Sequence, residues 1–316
     1  MTSGVEVVGG SGEVRRGEAL AISMLAFTVV VWGCTARVTA EAAPYAEPLM
    51  LTSLRAAPTA VALLVALPLL RYRLPATRAE WAWTSVSGLL MVTWFLAAFT
   101  ESVIKVGPGI AIVLMSTSPF WIALTERVLW GRHITPLQLA GTLVGFGGMV
   151  LVVSTQIDAS GDAGDMAIGM ALAVSASIAW AAGTLIVKEQ ITRRPETDLI
   201  GLTAGQYIVG GVVLLALAFA IEGTGAARWS ETSLWVPVAF VSIIGSAIAT
   251  VTYFGSLRWL DPASVTSWLF LSPVVAVLLE LVLGNAPDAI VLVGMVVTIA
   301  GVAIVSAAPR TAAPAA

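Results

Sequence analysis

Apolar runs of about twenty residues recur along this chain from residue 19 to residue 307. One such run, wound as an α-helix, spans the ~30 Å hydrocarbon core of a bilayer. The runs predict ten helices, over 19–38, 48–70, 79–99, 107–127, 136–155, 166–187, 198–221, 233–256, 262–283 and 287–307. They are apolar on every side and lack the polar stripe of a surface helix. Barrel strands would be about half as long and would alternate. Only 11% of the residues are charged, against roughly 25% in a soluble domain, so a water-soluble core cannot absorb the apolar excess. The fold class is therefore an all-α polytopic membrane protein, and the lipid bilayer is its first partner.

Several function classes drop out. The net charge of -3 gives no electrostatic footprint for a nucleic-acid partner. One cysteine, Cys34, and one histidine, His133, are too few for a disulfide framework or a soft-ligand metal site, and no cofactor is expected. There is no phosphate-binding G-x-x-x-x-G-K-[ST] loop, which speaks against a self-contained ATP-driven pump. Without H-E-x-x-H or G-x-S-x-G, no enzyme motif is present.

Basic residues set the expected topology. With the N-terminus inside, twelve of the sixteen Lys and Arg fall in cytoplasmic segments, among them Arg71, Arg73, Arg78, Arg127, Lys188, Arg193, Arg194 and Arg258. Arg37, Lys105 and Arg228 fall outside, and Arg55 lies within a helix. The positive-inside rule then places both termini in the cytoplasm of a plasma-membrane protein. Residues 1–18 read as a disordered cytoplasmic tail, 19–155 and 166–307 as two five-helix units, 156–165 as an acidic external linker, and 308–316 as a second tail. Cleavage of 19–38 as a signal peptide is the alternative for that run, with Ala40-Glu41-Ala42 as its site.

The two units echo each other. Ser118-Pro119 followed by Glu126 returns as Ser272-Pro273 followed by Glu280, 154 positions later (118→272). Trp32 matches Trp180 and Glu41 matches Glu189, at an offset of 148 (32→180). Glu47 matches Asp198 and Arg55 matches Gln206, at 151 (47→198). Gly131, Gly141 and Gly148 match Gly284, Gly294 and Gly301, at 153 (131→284). Five helices is an odd number, so the second unit enters the membrane from the opposite side. Ten helices as two inverted five-helix repeats is an architecture of secondary transporters, which bind solute near the midplane between halves.

Taken together, these motifs resemble the EamA-type ten-helix transporters of the drug/metabolite transporter superfamily. The resemblance covers residues 19–307. It rests on Trp32-Gly33, Leu54-Arg55, Gly109–Met115 leading to Ser118-Pro119, and Gln138–Gly141. In the second unit it rests on Trp180 near Lys188, Gln206-Tyr207, Asp261-Pro262, Ser272-Pro273, and Gly294 with Gly301. It implies a carrier of small organic solutes such as amino acids, their analogues or other metabolites, with efflux the commoner direction. The chain departs from the family at Trp130-Gly131-Arg132 and Leu283-Gly284-Asn285, where members usually carry Leu-Gly-Glu. No role of that glutamate can be carried over. The alternative reading is a non-transporting scaffold or receptor-like membrane protein.

Expected pathway residues follow. A carboxylate inside a membrane helix is costly unless it faces a cavity or a partner, so Glu280 and Glu126 are candidates for proton coupling. Glu126, beside Arg127, also reads as a salt-bridged helix-end residue. Arg55, always charged, pairs with a glutamate in the favoured reading and attracts a substrate carboxylate in the other. Its counterpart Gln206 is neutral. Trp32 and Trp180 lie about 13 and 14 residues into their helices, deep for an interface belt. Ser118, Ser272 and Tyr253 complete the pathway set, with Trp94 and Phe95 as weaker members. Pro119 and Pro273 are expected to kink their helices or serve gating. The glycines of the fifth and tenth helices are expected to pack within the fold, with a homodimer as the minority reading.

Overall fold

The computed structural model describes residues 10–131, 135–154, 163–284 and 286–308. The expectations for 1–9, for 155–162, for Arg132, His133 and Asn285, and for the tail from 309 fall outside these residues. The described chain is helical: α1 (Gly10–Ala42), α2 (Pro48–Leu70), α3 (Arg78–Gly88), α4 (Phe95–Met115), α5 (Ser118–Trp130), α6 (Pro136–Val153), α7 (Ala163–Arg193), α8 (Leu199–Ile221), α9 (Thr232–Phe240), α10 (Ala249–Ser256), α11 (Pro262–Ser267), α12 (Leu271–Val282) and α13 (Ala289–Ala307). Two π-helical segments, Leu89–Trp94 and Val241–Ile248, join α3 to α4 and α9 to α10. Among the described residues nine helical stretches are long and apolar enough to cross a membrane, and Pro136–Val152 is a shorter apolar helix that completes ten.

Local chemistry sets the helix ends. Thr77 and Thr135 cap α3 and α6 in reciprocal capping boxes with Glu80 and Gln138. Asp198 caps α8 through the Ile200 and Gly201 amides, and Asp261 caps α11 through Ser264. Gly131, at φ 62°, closes α5 in the left-handed conformation that glycine adopts without strain. Many buried hydroxyls return to their own helices, as Thr28 does to Met24 O and Thr298 to Gly294 O, which satisfies them away from water; the Thr84, Ser102 and Ser242 hydroxyls are buried without a partner among the described residues.

The expected N-terminal tail is corrected in part: α1 begins at Gly10, so residues 10–18 extend the first helix. Extending a formed helix adds one backbone bond per residue without a new nucleation step. Gly17 also lies flat against the Trp259 ring, with no room for a Cβ. Similarly, α7 begins at Ala163, inside the stretch read as a linker, and Lys105 Nζ pairs with its Asp165 at 2.7 Å.

The packing pattern is the same when the halves are exchanged. α1 packs on α10 and α12, and α7 in turn packs on α4 and α5. α2 crosses to the π segment after α9, and α8 crosses to the π segment after α3. The repeat-equivalent pairs α2–α8 and α6–α13 lie against each other. At the α6–α13 crossing the glycines serve contacts within the chain. A Cβ on Gly301 would sit inside the Gly145 backbone, and one on Gly148 would meet Thr298 N. The outer surface stays apolar, with Leu69, Val128, Val282 and Val296 all exposed. A soluble protein would not present such a surface, whereas lipid solvates it.

Candidate functional site

A cavity of about 1270 Å³ lies between the two repeats. Its walls come from α1, α2, α4, α7, α12 and the two π-bearing spans. At one end it reaches the connections around Pro44, Ala226 and Pro287. No described residue of the opposite connections lines it. There the chain is tied shut. Lys188 Nζ donates to the Leu257 and Leu260 carbonyls at the end of α10. Asp198 accepts the Arg73 amide at 2.7 Å while it caps α8. Arg194 pairs with Glu80, and Arg258 donates to the Thr197 carbonyl.

Arg55, on α2, is half-buried and lines the cavity. Its Nε donates to Ser246 Oγ at 2.7 Å. The favoured pairing with a glutamate is not found: no carboxylate of the described residues pairs with it. The physical reason is separation. The carboxylates that line the cavity, Glu47 and Asp288, stand at its mouth as the residues that precede α2 and α13.

Aromatic rings form the wall beside it. Trp32 and Trp180 meet edge to face with centroids 5.3 Å apart, and Phe95 lies 4.8 Å from Trp180. Trp32 Nε1 donates to the Gly245 carbonyl at 2.8 Å. A π segment leaves such a carbonyl available, because its backbone bonds are shifted by one residue relative to an α-helix. The indole N–H of Trp180 has no hydrogen bond of regular geometry, although the Tyr253 hydroxyl lies within reach.

The sequence candidates divide into two groups. Trp32, Arg55, Trp180, Ser272 and Pro273 line the cavity, as does Phe95. Tyr253 does not: it is fully buried behind the tryptophans, 5.4 Å from Trp32, with its hydroxyl bonded to Thr184. Gln206 is buried on α8 and donates to Ser87 Oγ at 2.8 Å. Ser118 is buried at the start of α5 and does not line the cavity. Glu126 is half-buried near the end of α5, is engaged by a neighbour and does not line the cavity. Glu280 falls on α12, and its side chain lies outside the described set. Trp94 faces outward, half exposed. The prolines do not kink continuous helices. Pro119 follows the break at Ser116–Thr117 in the first turn of α5, and Pro273 follows a 3-10 turn, Trp268–Phe270, in the first turn of α12. Proline lacks the N–H that a first helical turn leaves unpaired, so it restarts a helix without loss.

Sequence reasoning missed Tyr207, Phe99 and the Thr52–Thr100 hydroxyl pair, 3.0 Å apart, all on the cavity wall. Tyr207 could have been found beside the repeat match at Gln206. The π segments could not, since no residue pattern marks them.

Ten apolar helices in two oppositely inserted fives, enclosing a one-ended cavity, define a multi-pass membrane transporter built from inverted repeats. The EamA-like transporter family profile matches residues 19–154 and 167–307, so the chain belongs to that family. It is 25% identical over 287 residues to the uncharacterized transporter YvbV of Bacillus subtilis, covering 90% of each chain. It is 28% identical over 261 residues to the uncharacterized inner membrane transporter YedA of Escherichia coli, covering 81% of this chain and 80% of the relative. A riboflavin transporter of Rhizobium johnstonii is 29% identical over 200 residues, 63% of this chain and 61% of that one. A solved crystal structure, 20% identical, superposes with a TM-score of 0.75 over 90% of this chain and 95% of that one, which shows the shared fold.

Proposed function

We propose that the chain is a secondary transporter that exports small organic solutes across the plasma membrane by alternating access between its repeats, with both termini in the cytoplasm. The observation that carries the reading is the cavity between the repeats, open at one end and latched at the other. Such a shape is one of the two states an alternating carrier needs. With the basic connections inside, the cavity faces outward and the Lys188 latch is the inner gate. Glu126 and Glu280, toward the inner and outer faces of equivalent helices, are the groups proposed for proton coupling.

The test is a resistance screen. The protein is overexpressed in a sensitive bacterial strain, challenged with amino acids, analogues and cationic toxicants, and compared with Glu280→Gln. Export predicts raised tolerance to at least one solute. Flux in proteoliposomes that is indifferent to a pH gradient and to Glu280→Gln overturns proton coupling. No tolerance and no flux across the panel overturns the transporter reading.

A further inference from the structure

We infer that this cavity selects organic anions, with Arg55 as the carboxylate anchor and the π segment Val241–Ile248 as the element that aims it. The inference rests on the cavity being the solute pathway and names the chemistry of that solute.

The first ground is the state of the arginine. Its Nε is held by Ser246, and its two terminal nitrogens make no hydrogen bond or ion pair with the described residues. A guanidinium is planar, keeps its charge, and presents the terminal nitrogens as a fork that matches the two oxygens of a carboxylate. A half-buried cation in an apolar chamber without a counterion is costly, and a site that binds an anion recovers that cost.

The second ground is the charge inventory of the wall. The described charged residues that line the cavity are Arg37, Glu47, Arg55, Arg228 and Asp288; Tyr45 and Tyr207 also line it and are neutral near pH 7. Four of them stand at the mouth, in or beside the connections, with two of each sign. Arg55 is the charge that sits deeper, seven residues into α2, beside Tyr207, Trp180 and Trp32. An aromatic chamber alone would welcome an organic cation through its ring faces. One fixed cation among those rings reverses the preference, because like charge in a partly dehydrated space is strongly unfavourable.

The third ground is pre-organisation. Gly245 and Ser246 are neighbours in one π segment, and the first receives Trp32 Nε1 while the second receives Arg55 Nε. Thr59 Oγ1, one turn from Arg55, donates to Ser242 O of the same segment. The anchor and the ring are thus fixed side by side before any solute arrives, which lowers the ordering cost of binding. The apolar body of the solute then rests on Trp32, Trp180 and Phe95, while its carboxylate meets Arg55.

The experiment uses the purified full-length protein in lipid nanodiscs and shape-matched triples of acid, amide and amine on benzyl, indolyl and hexyl bodies. Isothermal titration measures each affinity. In at least one triple the acid binds about tenfold or more tighter than the amide, as loss of a charge-assisted pair predicts, and the amine binds weakest. Arg55→Gln, with its melting temperature as a folding control, removes the difference between acid and amide. Ser246→Ala narrows that ratio, whereas a merely structural role would weaken acid and amide alike. Equal binding of acid and amide, tighter binding of the amine, or no binding of any acid overturns the inference. Displacement of the acid by equimolar chloride or phosphate also overturns it, since the site would then take simple anions. Flux of the same triples in proteoliposomes separates the two readings. Flux without acid preference sinks the anion inference and leaves the carrier. Acid binding without flux sinks the carrier and leaves the site.

Discussion

The second and seventh spans hold matching places in the two repeats, yet their central polar residues do opposite work. Arg55 of α2 spends one nitrogen on Ser246 and lines the cavity, with its terminal nitrogens unbonded among the described residues. Gln206 of α8 is fully buried, gives its amide to Ser87, and has its backbone pressed against Gly88. Each reaches into the opposite repeat beside a π segment, and the two segments start 152 positions apart (89→241). The repeats therefore share a backbone device and differ in its chemistry. One copy presents a charge to the cavity; the other seals the interface that lets the halves hold together.

Swapping the chemistry should be far worse in one direction. Gln206→Arg places a cation at a position that is 1% exposed and bonded to a neutral hydroxyl, which costs about 3–5 kcal/mol by analogy with broken buried pairs. Little folded protein should survive detergent extraction, and size-exclusion chromatography reports it. Wild-type recovery would mean that the two positions are interchangeable.

The glycines mark where the repeats stay alike. Gly301→Val and Gly148→Val both force a side chain into backbone on the α6–α13 crossing. Overpacking of that kind costs about 3 kcal/mol at its upper range. Thermal melting should fall by similar amounts in both variants, and a large inequality would break the symmetry argued for that pair.

Arg55→Gln, which makes the second span resemble the seventh, should leave melting near wild type and lower solute flux about tenfold or more, as expected for a lost charge-assisted contact. Full flux would remove Arg55 from the pathway. The smallest effect belongs to Trp32→Phe, which keeps the ring but loses the bond to Gly245 O. About 1 kcal/mol of stability should go with that bond, seen as a modest drop in melting temperature. The mirror change Trp180→Phe, whose N–H has no regular partner, should cost less.

The spans and the duplication were legible in the sequence because lipid demands long apolar helices and because costly residues such as Arg55, Pro119 and Trp180 stand out against them. The site was half legible. Trp32, Arg55, Trp180 and Ser272 line one cavity, although the repeat matches of Arg55 and Ser272, Gln206 and Ser118, do not. Gln206, the repeat match of Arg55, and Tyr253 turn into packing instead, and nothing in residue type separates wall from core. Glu126 shows the same limit: depth along a helix can be counted, but rotation about its axis depends on packing angles the sequence does not print. Wider backbone turns like Val241–Ile248 leave no compositional trace at all.

The most direct test of the one-ended cavity between the repeats is cysteine labelling in a Cys34→Ala background. Ser272→Cys lies on the cavity wall, Ala43→Cys on the exposed connection before α2, and Ser256→Cys in the buried end of α10. With an impermeant maleimide added outside intact cells, Ala43→Cys and Ser272→Cys should react while Ser256→Cys stays silent. If Ala43→Cys reacts and Ser272→Cys does not, or if Ser256→Cys reacts as fast as Ser272→Cys, the outward-open cavity is contradicted.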